Sequence, residues 1–121
     1  MTIASINPAT NKTVEIFSPM AKSDVMTAIE SAHDAYRSWR KVSFENRKTK
    51  LLKFAKLLRA DADTYARLIT QDMGKRISES QYEIEYCANI AEYYANGAER
   101  FLADQSMDFT DADAYLRFDP P

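Results

Sequence analysis

The stretch SFENRKTKLLKFAKLLRADADTYARLITQDMG, residues 43–74, decides the fold. Leu51, Ala55, Leu58, Ala62, Tyr65, Ile69 and Met73 recur at steps of three and four, the spacing of one helix face. Ser43 is placed to cap the start, with Glu45 in the first turn, where the helix dipole favours negative charge. Gly74 is placed to end the run, because a left-handed C-cap suits glycine best. The rhythm therefore predicts one continuous helix, about 45 Å long at roughly 1.5 Å per residue. A rod of that length exceeds the diameter of a domain of 121 residues and calls for a larger body to lie against.

Working toward the N-terminus, Val25, Ile29, Ala32, Tyr36 and Trp39 make the apolar stripe of an earlier helix. Ser23 is its expected N-cap, Asp24 lies in its first turn, and it should fade near Val42. Before it, Thr2 to Ile6 and Thr13 to Phe17 read as short strands around a turn from Asn7 to Lys12. Alternation puts Val14 and Ile16 on one face of the second strand and Glu15 and Phe17 on the other. Pro19 closes that strand.

Toward the C-terminus, Ser78 and Gln81 match a capping box, with Ile77 and Tyr82 as its hydrophobic staple. The third helix then carries Ile84, Cys87, Ala91, Tyr94, Ala98 and Phe101 as its stripe. Gly97 inside it costs about 1 kcal/mol against Ala and implies close packing there. A connector from Asp104 to Thr110 contains an extended piece at Met107 to Phe109, and Ala114 to Phe118 reads as a last strand. The expected fold is mainly α: an N-terminal β-hairpin, three amphipathic helices and a C-terminal strand, in a single segment.

Composition excludes several functions. The net charge is -2, and Lys and Arg read as interspersed with Asp and Glu along the helices, so no basic face and no nucleic-acid partner is expected. No apolar stretch is long enough to cross a bilayer, and the start lacks the pattern of a signal peptide. A cytoplasmic protein without a membrane partner is the expectation. The 2 glycines, Gly74 and Gly97, are too far apart to build a GxGxxG turn or a P-loop. One cysteine, Cys87, allows neither an intrachain disulfide nor a multi-cysteine metal cluster.

Individual side chains read as structural. His33 has no second His or Cys to complete a metal set and sits beside the stripe of its helix. Glu83 and Glu85 are two apart on a helix and diverge, so with Asp72 they make no acid–base pair; a solvated face or a contact outside this segment is expected. Tyr82, Tyr86, Tyr93 and Tyr94 read as an aromatic packing stripe, since base stacking needs a basic groove beside it. Lys75 follows Gly74 at a helix terminus, where its charge is favourable, and not in a phosphate loop.

Several strings, taken in order, resemble the N-terminal segment of the aldehyde dehydrogenase family. Asn7-Pro8-Ala9-Thr10 is similar to that family's N-P-A-T turn, and Trp39-Arg40 follows as it does there. Arg47, Leu51, Leu52, Ala55 and Leu58 match R-x-x-x-L-L-x-x-A-x-x-L, and Met73-Gly74-Lys75 matches M-G-K. Glu79, Glu83 and Glu85 stand at acidic positions of the third helix, and Tyr93-Tyr94-Ala95 fits Y-Y-A. The runs from Asp72 to Lys75 and from Tyr86 to Leu102 most resemble succinate-semialdehyde dehydrogenases. Asn11 stands where the family usually has Gly, and Arg76 where Pro is common.

The resemblance implies a β-hairpin at 1–20, the helical part of a cofactor domain at 21–103 and the start of an oligomerisation arm at 104–121. It also implies an NAD- or NADP-dependent oxidation of an aldehyde, in which a cysteine thiolate attacks, hydride passes to the nicotinamide and a Glu helps water release the acid. The cofactor turn, the Glu and the nucleophile are expected beyond Pro121. No catalytic, cofactor-binding or metal-binding residue is therefore expected in this chain, which alone should bind no cofactor and be inactive. Cys87 is expected to be a small hydrophobe on the buried stripe, since no cation or helix N-terminus is placed to activate it. The expected partner is the remainder of an aldehyde dehydrogenase or further copies of the chain. The alternative is a stand-alone helical module that associates with itself or with a partner.

Overall fold

The computed structural model describes residues 3–108 and 112–119. The elements are β1 (Ile3–Ile6), β2 (Thr13–Phe17), α1 (Lys22–Trp39), α2 (Phe44–Ala60), α3 (Ala62–Met73), α4 (Ile77–Phe101), β3 (Gln105–Met107) and β4 (Ala114–Leu116). The fold is mainly helical, with an antiparallel two-stranded hairpin at each end. The extended piece expected at Met107 to Phe109 lies earlier, at Gln105–Met107, and pairs with Ala114–Leu116. Thr2, Phe109 and Thr110, named in the strand and connector expectations, lie outside the described residues.

The first hairpin follows from its turn chemistry. The Asn7 side-chain oxygen accepts from the amides of Ala9 (2.9 Å) and Thr10 (3.3 Å), an Asx turn. Asn11 sits at φ 55°, in the left-handed region that glycine favours and asparagine tolerates. That explains how Asn can occupy a position expected to hold Gly. The register shifts between Ser5 and Ile6, which pair with Glu15 and Thr13 and leave Val14 as the extra residue of a bulge. The strict alternation expected for β2 is broken there: Val14 is half-buried, while Ile16 stays 63% exposed.

The long second helix is two helices. Asp61, at φ -109° and ψ 22°, leaves the helical region and separates α2 from α3. Its amide still donates to the Leu57 carbonyl and its own carbonyl accepts from Tyr65, each at 3.2 Å, so the interruption breaks no bond at that residue. Aspartate is a weak helix former because its side chain competes for nearby backbone groups. Gly74 ends α3 as expected, at φ 71°. A methyl group there would also lie 2.8 Å from Cγ of Pro8, so the hairpin turn packs directly on this helix end.

Two other expected caps are not formed. Ala21, not Ser23, occupies the N-cap of α1. Arg76 occupies the N-cap of α4, and neither residue caps its helix with a side-chain bond. The Ser78–Gln81 capping box is replaced by longer-range bonding: Gln81 donates to Asp63 at 3.1 Å, tying α4 to α3.

The core is small and made of small side chains. Ala55 on α2, Ala66 on α3, and Ile84, Ala88 and Ala95 on α4 are buried, with Ser80 beside them. α4 packs against both α2 and α3 along this line. Alanine at the contact lets helix backbones approach closely, which compensates for the modest area each residue buries. The buried line of α4 thus runs through Ser80, Ile84, Ala88 and Ala95. The stripe expected through Cys87 and Tyr94 is displaced from it: Cys87 is exposed and Tyr94 is 56% exposed. On the earlier helices, Met73 is 72% exposed and α1 has no buried residue at all.

Candidate functional site

The densest polar constellation joins α2 to α4 through Arg59. Its Nε donates to Glu85 at 3.0 Å, and its Nη1 lies 2.5 Å from Glu92 Oε1. Its Nη2 donates to Asn89 at 2.9 Å and to Glu92 Oε2 at 3.0 Å. Glu85, Asn89 and Glu92 fall on one face of α4 because positions four and seven apart share a face. The planar guanidinium fork suits such multiple acceptors. The bond from Arg59 holds the Glu92 carboxyl below its ordinary value of 4.5, and the two carboxylates raise the Arg59 pKa in return. This is the chemistry of a clamp, in which one guanidinium is shared by two carboxylates and an amide.

An open apolar cleft of about 610 Å³ lies between the hairpin and α3. Val14, Phe17, Leu68, Ile69 and Met73 line it, with Glu15 and Asp72 among its polar groups. The Ser5 hydroxyl donates to Asp72 across it.

The side chains singled out in the sequence are scattered. Glu83 pairs with Lys75, Glu85 with Arg59, and Asp72 with Ser5, so the three carboxylates are neither convergent nor merely solvated. Lys75, expected as a helix-terminal charge, has its pKa raised by the bond to Glu83. His33 is an exposed α1 residue near the Tyr36 ring, at 6.4 Å between centroids. Cys87 is a surface thiol, not the buried hydrophobe expected. The tyrosines pack on the surface among themselves. Tyr82 stacks on Tyr86 at 6.1 Å, and Tyr93 and Tyr94 both meet Phe101. That ring folds back over Gly97, where a methyl would come within 2.4 Å of it, so the close packing expected at Gly97 is present.

Among the described residues, no group of three His, Cys, Asp or Glu could hold a metal ion, and no helix is long and apolar enough to cross a membrane. The charges are not interspersed along each helix as expected but segregated between helices. α2 carries six Lys or Arg against one Glu, while α4, packed beside it, carries five Glu against one Arg. Reading the sequence as a whole missed both this pairing and the role of Arg59. The signal was present in the spacing of Glu85, Asn89 and Glu92.

Helix α3 closed by Gly74, a hairpin turn seated on that glycine, and α4 clamped to α2 through Arg59 are the features that mark this helical segment. The chain belongs to the aldehyde dehydrogenase family, whose family description matches residues 1–121. It is 38% identical over 124 residues to the NADP+ succinate-semialdehyde dehydrogenase of Mycobacterium avium, covering 99% of this chain and 26% of that protein. It is 33% identical over 120 residues to a probable enzyme of the same name from Synechocystis, again covering 99% and 26%. Its fold matches the succinic semialdehyde dehydrogenase of Streptococcus pyogenes, solved with NADP+, at a TM-score of 0.89 and 38% identity. That match covers 94% of this chain and 25% of the solved one. The chain thus spans about a quarter of the length of the relatives it matches.

Proposed function

We propose that this chain supplies the outer helical scaffold of the cofactor domain, and the start of an oligomer-contact arm, in an NADP-dependent dehydrogenase that oxidises succinate semialdehyde or a similar aldehyde to an acid. It contributes no catalytic group of its own. The substrate and cofactor in this reading come from the relatives' names. The scaffold role rests on one physical observation. The chain exposes 10178 Å², whereas a compact monomer of 13.8 kDa exposes about 6,600 Å². The excess is several times the roughly 800 Å² that one partner loses in a standard interface. It has the size of an uncovered domain interior, and Ile29, Trp39, Phe54, Leu57 and Tyr86 are among the half-exposed apolar side chains that make it up.

A stand-alone self-associating module is the second reading. It is favoured by the α2–α4 clamp, which joins two helices within the chain, but one standard interface would leave most of the excess uncovered.

Complementation tests the proposal. The chain is mixed with the remaining three quarters of a succinate-semialdehyde dehydrogenase relative, and NADPH formation is followed with succinate semialdehyde. Turnover should appear only in the mixture. Aldehyde-dependent turnover by the chain alone would reject the scaffold reading. A discrete, cooperatively melting oligomer in sedimentation, with no complementation, would favour the second.

A further inference from the structure

α1 poses a problem of attachment. It buries no side chain, and it makes no extensive packing contact with another helix. Its direction relative to α2 cannot therefore be set by a core. The short connection between them, residues 40–43, is nevertheless densely bonded. The amides of Arg40, Lys41 and Val42 donate back to Tyr36, Ser38 and Trp39 at 2.9, 3.1 and 3.0 Å, which continues the turn beyond the helix end. Ser43 then caps α2 by accepting from the Asn46 amide at 3.3 Å.

One side chain of α2 reaches back over this connection. Arg47 Nε donates to the Val42 carbonyl at 2.9 Å, and its Nη2 donates to the carbonyls of Arg40 at 3.1 Å and Trp39 at 3.3 Å. The same guanidinium lies 5.7 Å from the ring centroids of both Trp39 and Phe44, one on each side of the connection. Carbonyls at a helix C-terminus lack intrahelical donors and carry partial negative charge, so a cation is favourable there. A guanidinium can meet three carbonyls and two ring faces at once because its donors are fixed in a planar fork; an ammonium cannot.

We propose that residues 40–43 form an elbow locked by Arg47, which fixes the direction of α1 before any other surface covers its apolar face. Arg47 is then a positioning residue, and the lock is a property of this chain, independent of what α1 docks against. Its failure would therefore leave the scaffold reading standing, and the reverse also holds.

The test is a distance distribution by pulsed electron paramagnetic resonance on the full chain, with spin labels at positions 31 and 53 and Cys87→Ser as background. The unsubstituted elbow should give one narrow distribution. Arg47→Lys keeps the charge and loses the fork, and should broaden it beyond the parent width with the helical circular dichroism unchanged. Trp39→Leu removes one ring face and keeps the carbonyl bonds, so it should broaden the distribution less. An unchanged width in Arg47→Lys overturns the proposal. So does a loss of cooperative melting in both Arg47→Lys and Trp39→Leu, because Arg47 would then support the helical core and not the elbow.

Discussion

α4 and α1 are both amphipathic, and the structure treats them in opposite ways. α4 lies in a seam against α2 and α3, with Ala88 fully buried and Arg59 clamped to two of its glutamates. α1 carries an equally regular stripe and buries nothing. Periodicity establishes that a helix has an apolar face; burial depends on what that face meets. The part of the molecule that is complete within this chain is held by small side chains and a polar clamp. The part built from large apolar side chains is the part left open. Four predictions break or sharpen that contrast.

The largest effect is expected in the seam. Ala88→Leu forces a large side chain where helix backbones approach, and should cost about 1–3 kcal/mol or more in a denaturant melt. Gly74→Ala comes next. It places a methyl at φ 71° and against Pro8, and should cost about 1–2 kcal/mol while loosening the hairpin. A similar melt for Ala88→Leu and the parent chain would mean that the seam is not closed.

The clamp gives a pH dependence whose sign follows from Glu92. Its folded-state pKa is depressed, so the stability it contributes is fully present above the ordinary value of 4.5. That stability is lost progressively as pH falls from there through the folded-state value. Thermal melts should shift downward over that range, and Glu92→Gln should flatten the shift. The smallest effect belongs to α1. Ile29→Ser, at a residue 57% exposed, should change stability of the chain by no more than about 0.5 kcal/mol. The same substitution should weaken complementation, since its cost arises only where the face is covered. A stability loss in the isolated chain comparable to that of Ala88→Leu would erase the distinction between the two regions.

The contrast also accounts for what was legible in the sequence. Turn and terminus chemistry is local, so the Asn7 turn, the Ser43 cap and the Gly74 terminus were readable from residues within a few positions of each other. The break at Asp61 was hidden because Leu58, Ala62 and Tyr65 keep helical spacing across it. The phase of α4 was misread for a different reason. Hydropathy gives weight to Cys87, Tyr94 and Phe101, whereas the inward line runs through Ser80, Ala88 and Ala95, whose value lies in being small. The Ser78–Gln81 pattern fits a capping box, yet Gln81 is drawn instead to Asp63 on the neighbouring helix. The clamp was invisible to a whole-chain charge balance because the cations of α2 and the carboxylates of α4 cancel in the sum.

Amide hydrogen exchange, resolved residue by residue on the chain alone and then with the remainder of a relative, tests the division most directly. Amides around Ala88 in α4 should be protected in both states. Those around Ile29 in α1 should exchange far faster in the chain alone and become protected on addition of the remainder. Equal protection of α1 and α4 in the isolated chain, unchanged by the addition, would contradict the account.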